Sequence, residues 1–227
     1  MKRVFASLLM VFALTAAAGA AELLKAGEFK AAYEAAVAEG DWVLAARAAS
    51  FYAMYQAEGK KEKNAWFSKA EAAAKRAIEE DPENPEAYFE LARALGRLAQ
   101  YRGILESISL ASAVKENLDK ALKLDPNYAS AMVALALWHL ELSQKGVGWL
   151  YGASSGRVIP LFKKAIELEP DRIIHRYEFA RALLRLGKKQ EAIEQLVIAL
   201  SLPPQEARDE YVLEEAKKLL KELEGAN

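Results

Sequence analysis

Between Ile173 and Leu186, Phe179, Ala180, Leu183 and Leu186 recur at a spacing that sets them on one face of a helix. Gly187 interrupts the pattern, since glycine tolerates the left-handed conformation in which helices end. A second helix is predicted from Gln190 to Leu200, with Ala192, Leu196 and Ala199 as its inward stripe. Pro203-Pro204 stops it, because proline lacks the amide proton and clashes with the preceding turn. Residues 205–224 predict a further helix that caps the array. Val212, Ala216, Leu219 and Leu223 form its apolar stripe, while Glu214, Glu215, Lys217, Lys218 and Lys221 stay in water. At the other end, residues 22–38 predict one helix, and Asp41 after Gly40 is placed to cap the next.

The same phrase closes helices upstream. Ala77-Ile78-Glu79-Glu80-Asp81-Pro82 returns as Ala121-Leu122-Lys123-Leu124-Asp125-Pro126 and as Ala165-Ile166-Glu167-Leu168-Glu169-Pro170. It ends as Ala199-Leu200-Ser201-Leu202-Pro203-Pro204. The prolines step by 44, 44 and 34 residues. Such periods mark stacked supersecondary units. Alanine at helix crossings lets the axes approach to about 8–10 Å. A larger side chain there overpacks and costs about 1–3 kcal/mol. Each helical hairpin leaves an apolar face bare until a neighbour covers it, so the array is stable as a set.

The 34-residue unit resembles a tetratricopeptide repeat: a large/small pair on helix A, then Ala, a bulky residue and Ala on helix B, then Pro. Tyr88, Leu91 and Ala92 begin one such unit, which Leu118, Ala121 and Pro126 close. Met132, Leu135 and Ala136 begin the next, closed by Phe162, Ala165 and Pro170. Both are ten residues longer than the standard unit, and the excess is expected between helices A and B. A degenerate unit covers residues 41–82, with Ala70, Ala74, Ala77 and Pro82 on its helix B. The expected fold is therefore all-α: a right-handed α-solenoid of four tetratricopeptide-like hairpins with flanking and C-terminal capping helices.

A narrower resemblance lies in the elongated units. Residues 92–104 read Ala-Arg-Ala-Leu-Gly-Arg-Leu-Ala-Gln-Tyr-Arg-Gly-Ile, followed by Val114-Lys115-Glu116-Asn117-Leu118-Asp119-Lys120-Ala121. Then come Leu137-Trp138-His139 and the loop Trp149-Leu150-Tyr151-Gly152. Over roughly residues 40–222 this is similar to the regulator of microtubule dynamics protein family, including its bacterial members. Eukaryotic members are linked to microtubules and to mitochondrial or reticulum membranes. The resemblance implies architecture and an adaptor-like character here, without naming a partner.

The N-terminus departs from those relatives. Lys2 and Arg3 precede an apolar run from Val4 to Leu14, and Ala18-Gly19-Ala20 ends it with small residues, the layout of a secretory signal peptide over residues 1–20. The alternative is an uncleaved inner-membrane anchor, for which the run is short. The expectation is a periplasmic or secreted protein, out of reach of microtubules, with residues 21–227 as one continuous domain and no membrane insertion after cleavage. Losing residues 1–20 takes the formal net charge from −1 to about −3, which does not suggest a nucleic-acid surface. The chain has no cysteine, so it carries neither a disulfide nor a lipid on cysteine.

Candidate chemistry is sparse. The two histidines, His139 and His175, have no second histidine or carboxylate at metal-ligand spacing, so neither a metal nor another cofactor is expected. Gly146-Val147-Gly148-Trp149-Leu150-Tyr151-Gly152 follows a helix rather than a strand, with the wrong spacing for a phosphate loop. Nothing supports catalysis. Three features suit binding. Helix A twice carries arginines at i, i+4, Arg93/Arg97 and Arg181/Arg185, where guanidinium forks can grip a carboxylate in the concave groove. Glu90 and Glu178, three residues earlier, offer them a purely structural use as helical ion pairs. Trp149 and Tyr151 sit on the glycine-flanked loop, either as partner contacts or folded back as a lid. Phe89, Val133, Leu137, Leu140 and Tyr177 either wall an apolar groove or simply pack. The function expected is a non-catalytic scaffold that binds a protein or peptide in its concave groove, as a monomer. The alternative is a carrier of a small apolar or carboxylate ligand serving an envelope transporter, for which a closed apolar tunnel at the elongated units is expected.

Overall fold

The computed structural model describes residues 19–101 and 104–225, which are helical with no strand among them. In chain order the helices are α1 (Ala20–Lys25), α2 (Phe29–Glu39), α3 (Trp42–Phe51), α4 (Gly59–Glu80), α5 (Pro85–Leu98) and α6 (Ile104–Leu124). They continue as α7 (Ala129–Gln144), α8 (Gly148–Tyr151), α9 (Val158–Leu168), α10 (Ile173–Arg185), α11 (Lys189–Ser201) and α12 (Ala207–Gly225). Residues 1–18 of the segment read as a signal peptide lie outside the described residues; Gly19 caps α1, and Ala20 opens it fully buried.

Local chemistry sets the boundaries. The Asp41 side chain accepts from the Leu44 N–H at 2.9 Å at the start of α3. Asn84 does the same for Glu86 at 2.9 Å ahead of Pro85, which suits the first helical position. Pro82, Pro126 and Pro170 each stand two residues past the end of α4, α6 and α9, at hairpin exits as the repeat requires. The alanines of the repeat phrase, Ala77, Ala121, Ala165 and Ala199, are all buried, and Ala121, Ala165 and Ala199 have no exposed surface. Larger side chains fill the spaces they leave, with the Phe162 and Phe179 rings stacked at 5.0 Å between α9 and α10.

Two expectations need correction. The single helix over 22–38 is two, α1 and α2, broken at Gly27 in the left-handed region (φ +85°). In the first elongated unit, part of the excess is helix: α6 runs 21 residues against 13 for α11. The second elongated unit puts its extra residues into the connection, as α8 and a 3-10 turn at Ser155–Arg157.

The two ends of the array meet. The α3 helix widens at its end into a π-helical turn over Tyr52–Gln56, closed by the Ala57 N–H to the Tyr52 carbonyl at 2.8 Å. From that turn Tyr55 stacks on Tyr211 of α12 (5.1 Å, 22°), and the Gln56 amide donates to the Gly27 carbonyl at 2.8 Å. The Arg208 guanidinium lies 4.9 Å from the Phe51 ring. Gly27 approaches Ala207 so closely that a Cβ on it would stand 2.8 Å from the alanine methyl. Glycine is needed there twice over, for its φ and for its lack of a side chain.

Candidate functional site

Where the two ends of the array meet, they border an open cavity of about 630 Å³. The π-helical turn, α4 and α5 form one wall; α10 and α12 form the other. Tyr55, Tyr101, Tyr177 and Tyr211 line it with Phe67. Five cations, Lys63, Arg97, Arg181, Arg185 and Lys218, face three carboxylates, Glu178, Glu215 and Glu222. A rim with surplus positive charge around aromatic walls attracts an anionic group and offers flat faces for an apolar or aromatic body.

The predicted residues divide. Arg97, Tyr177, Arg181 and Arg185 are brought together on the cavity wall. Arg97 makes no ion pair among the described residues. Arg181 reaches back to Glu178 at 3.2 Å and lies 5.7 Å from the Tyr177 ring, half exposed. Arg185 ties α10 to α7, donating to Gln144 at 2.7 Å and Glu141 at 2.8 Å. Hydrogen bonds from Lys145 and Arg185 overcome the effect of burial and hold the Glu141 carboxyl below its ordinary value. Burial pushes the Tyr55 phenol up, against the opposing charges of Arg208, Arg97 and Arg93. It raises Tyr177 likewise. Both therefore remain neutral hydroxyls at physiological pH.

Arg93 does not belong to the site. One turn before Arg97, it packs beside the rings of Phe89 (4.6 Å) and Phe51 (5.2 Å) and pairs at 3.0 Å with Glu90. Glu90 has no exposed surface, and its other oxygen accepts from Arg47 of α3 at 2.9 Å. Arg47 also reaches Glu86 at 2.8 Å. This network binds α3 to α5. Burial works against the Arg47 charge, but Glu90 and Glu86 overcome it and raise its pKa.

The loop residues also part ways. Tyr151 packs half-buried against the core, whereas Trp149 is 79% exposed. Of the expected apolar wall, Phe89, Val133 and Leu140 are buried in the core and Leu137 packs half-buried beside them; only Tyr177 lines the cavity. Among the described residues, the cavity found is a charged, aromatic one at the junction of the two ends, where a closed apolar tunnel at the elongated units was expected for a carrier. Both histidines are buried. The His139 Nδ1 accepts from the Ser154 N–H at 3.2 Å, and His175 contacts Ser130 at 3.2 Å. No group of three or more His, Asp or Glu among the described residues is placed to hold a metal ion.

Sequence reasoning missed Tyr55, Tyr101 and Tyr211. Tyr55 owes its place to the π-helical turn, which shifts helical register by one residue and carries no local signature. Such turns recur at functional sites.

Among solved structures, the fold is similar to a thermophilic tetratricopeptide-repeat protein of Thermus thermophilus, with a TM-score of 0.62, 19% identity and coverage of 85% of this chain and 92% of that one. Among curated sequences, regulator of microtubule dynamics protein 3 of Bos taurus is 30% identical over 155 residues, 63% of this chain and 32% of that protein. Regulator of microtubule dynamics protein 1 of Bos taurus is 25% identical over 205 residues, 82% of this chain and 62% of that protein. The chain thus spans from about a third to less than two thirds of these relatives' lengths. The family model for regulator of microtubule dynamics proteins 1-3 matches residues 20–224. With a match over nearly all its length, joined to an array of tetratricopeptide-like hairpins, this chain belongs to the regulator of microtubule dynamics protein family.

Proposed function

We propose that the protein is a non-catalytic scaffold that takes a segment of a protein or peptide partner into the cavity between its two ends. The observation that carries this reading is the convergence of Arg97, Arg181 and Arg185 with four tyrosines from the two facing walls of one cavity. Arginine and tyrosine are the residues that most often anchor protein contacts. An acidic or aromatic segment fits both the charge and the walls. The relatives are named for regulating microtubule dynamics, but the export signal read at residues 1–20 takes this chain elsewhere. The reading is of a monomer of one continuous domain that opens at α1, acting in the periplasm or outside the cell.

Affinity capture with the wild type and with an Arg97→Glu/Arg181→Glu variant, bound proteins being identified by mass, tests the site. The variant is expected to retain less than a tenth of the wild-type partner. Equal recovery by both, with the variant folded, contradicts the cavity as the binding surface.

A second reading is favoured by the cavity's size, which lies in the range of small-molecule sites. In it the chain carries a small carboxylate ligand beside an envelope transporter. A native mass of the purified protein that matches the bare polypeptide argues against it.

The export reading has its own test. Ala20 is fully buried and its N–H donates to Glu39 at 3.0 Å. A cut after Ala18, behind the equally small Ala16-Ala17-Ala18, keeps that packing; a cut after Ala20 removes it. The mass of the exported protein is expected to start at Gly19. A full-length mass points instead to the inner-membrane anchor.

A further inference from the structure

Independently of the cavity, we infer that the tip of α8 is a peripheral docking site for an anionic lipid bilayer. Trp149 and Leu150 are adjacent and are 79% and 58% exposed, more than any other large apolar side chain of the described residues. The turn that carries them is fixed. Val147, Tyr151 and Ala153 pack against the core, the Ala153 N–H donates to the Gly148 carbonyl at 2.8 Å, and the Ser154 N–H donates to His139 at 3.2 Å. Its anchoring residues are inside and its two largest apolar groups are outside, so the outward pair is not a loop that failed to fold back.

Along the chain, the charges that follow Glu141 through the tip have one sign, while Asp119 of α6 acts on His139 beneath it. From Leu142 to Ile166 the chain has no Asp or Glu and four cations, Lys145, Arg157, Lys163 and Lys164. Lys145 is paired with Glu141 at 3.0 Å. Arg157, Lys163 and Lys164 are exposed and make no ion pair among the described residues. In a chain with a net charge of −1, this is a local excess of positive charge.

A bilayer surface fits these features better than a protein does. Two projecting side chains are far short of the roughly 800 Å² that a stable protein interface buries on each partner. A membrane interface needs no such area. Tryptophan settles at headgroup depth, and leucine beside it reaches the acyl boundary. Each cation near an anionic leaflet strengthens partitioning roughly fivefold, so three act with the apolar pair rather than in place of it. No helix of the described residues is long and apolar enough to cross a membrane, so attachment here is peripheral.

Vesicle co-sedimentation tests the inference, comparing phosphatidylcholine alone with phosphatidylcholine containing one third phosphatidylglycerol. Results are read as ratios between variants, so that any contribution of residues 4–14 cancels. The wild type is expected to partition at least tenfold more strongly onto the anionic vesicles, and high salt is expected to remove the preference. Trp149→Ser/Leu150→Ser and, separately, Lys163→Glu/Lys164→Glu are each expected to lose at least tenfold, with circular dichroism and melting temperature unchanged because all four side chains are exposed. Equal binding to both vesicle types overturns the inference, as does wild-type binding by either variant. So does a protein partner whose capture needs Trp149 and Leu150 when the vesicles do not.

Discussion

Arg93 and Arg97 lie one helical turn apart, and what lies over each decides its role. Phe51 and Phe89 cover Arg93, which neutralises the buried Glu90; Arg97 meets the cavity. The i, i+4 spacing put both on one face, but the ring of Phe51 comes from another helix, and no local pattern announces it. The two substitutions therefore have different consequences. Arg97→Ala is expected to change stability by no more than about 0.5 kcal/mol, as at other surface positions. Glu90→Ala takes the carboxylate from Arg93 and leaves Arg47 with Glu86, and is expected to cost about 1–3 kcal/mol. Denaturant unfolding of both variants checks this, and similar midpoints contradict the assignment. The histidines give a pH signature. Burial, assisted by Arg157 and Lys115, lowers His139 to about 4; burial, assisted by Arg172 and Arg208, lowers His175 to about 3. Unfolding restores both toward 6.5, so the unfolded chain takes up protons first. Their contribution is complete above about pH 6.5 and is lost as the pH falls toward 4 and 3. His139→Gln/His175→Gln is expected to flatten melting temperature against pH between 6.5 and 4, and a profile parallel to the wild type contradicts the assignment.

Helices and their order were legible because the signals are local. Apolar spacing, capping Asp41 and the alanine–proline phrase each act within a few residues, and the predicted limits of α10 and α11 fall within a residue of those observed. The exceptions arise where local signals are silent. Gly27 lies inside an apolar stripe that continues past it, so the break between α1 and α2 follows from its backbone conformation and from Ala207, which is distant in sequence. The π-helical turn after α3 has no residue signature, yet it delivers Tyr55 and Gln56 to α12. Gly27→Val is expected to separate the ends. Its Cβ clashes with Ala207 and its backbone is strained at φ +85°. Hydrogen exchange should then quicken in α1 and α12 together, while α7 and α9 keep wild-type protection. Uniform loss of protection would indicate global unfolding, and no change would show that the contact carries no weight.

For the whole molecule, the repeats implied a concave groove, and the structure is an array whose ends touch. Closure depends on contacts such as Tyr55 with Tyr211, between residues too far apart for any periodicity to record. The cavity exists because of it, so binding there requires the ends to meet in solution. The cysteine-free chain permits a direct measurement. Lys25→Cys and Gln205→Cys are exposed positions that face one another across the junction of the ends. Spin labels on the pair should give one narrow distance distribution below about 25 Å, allowing for two linkers. With helices stacked at about 8–10 Å each, an open array would place the labels several tens of ångströms apart. A broad distribution at that longer distance would contradict the meeting of the ends and the site between them.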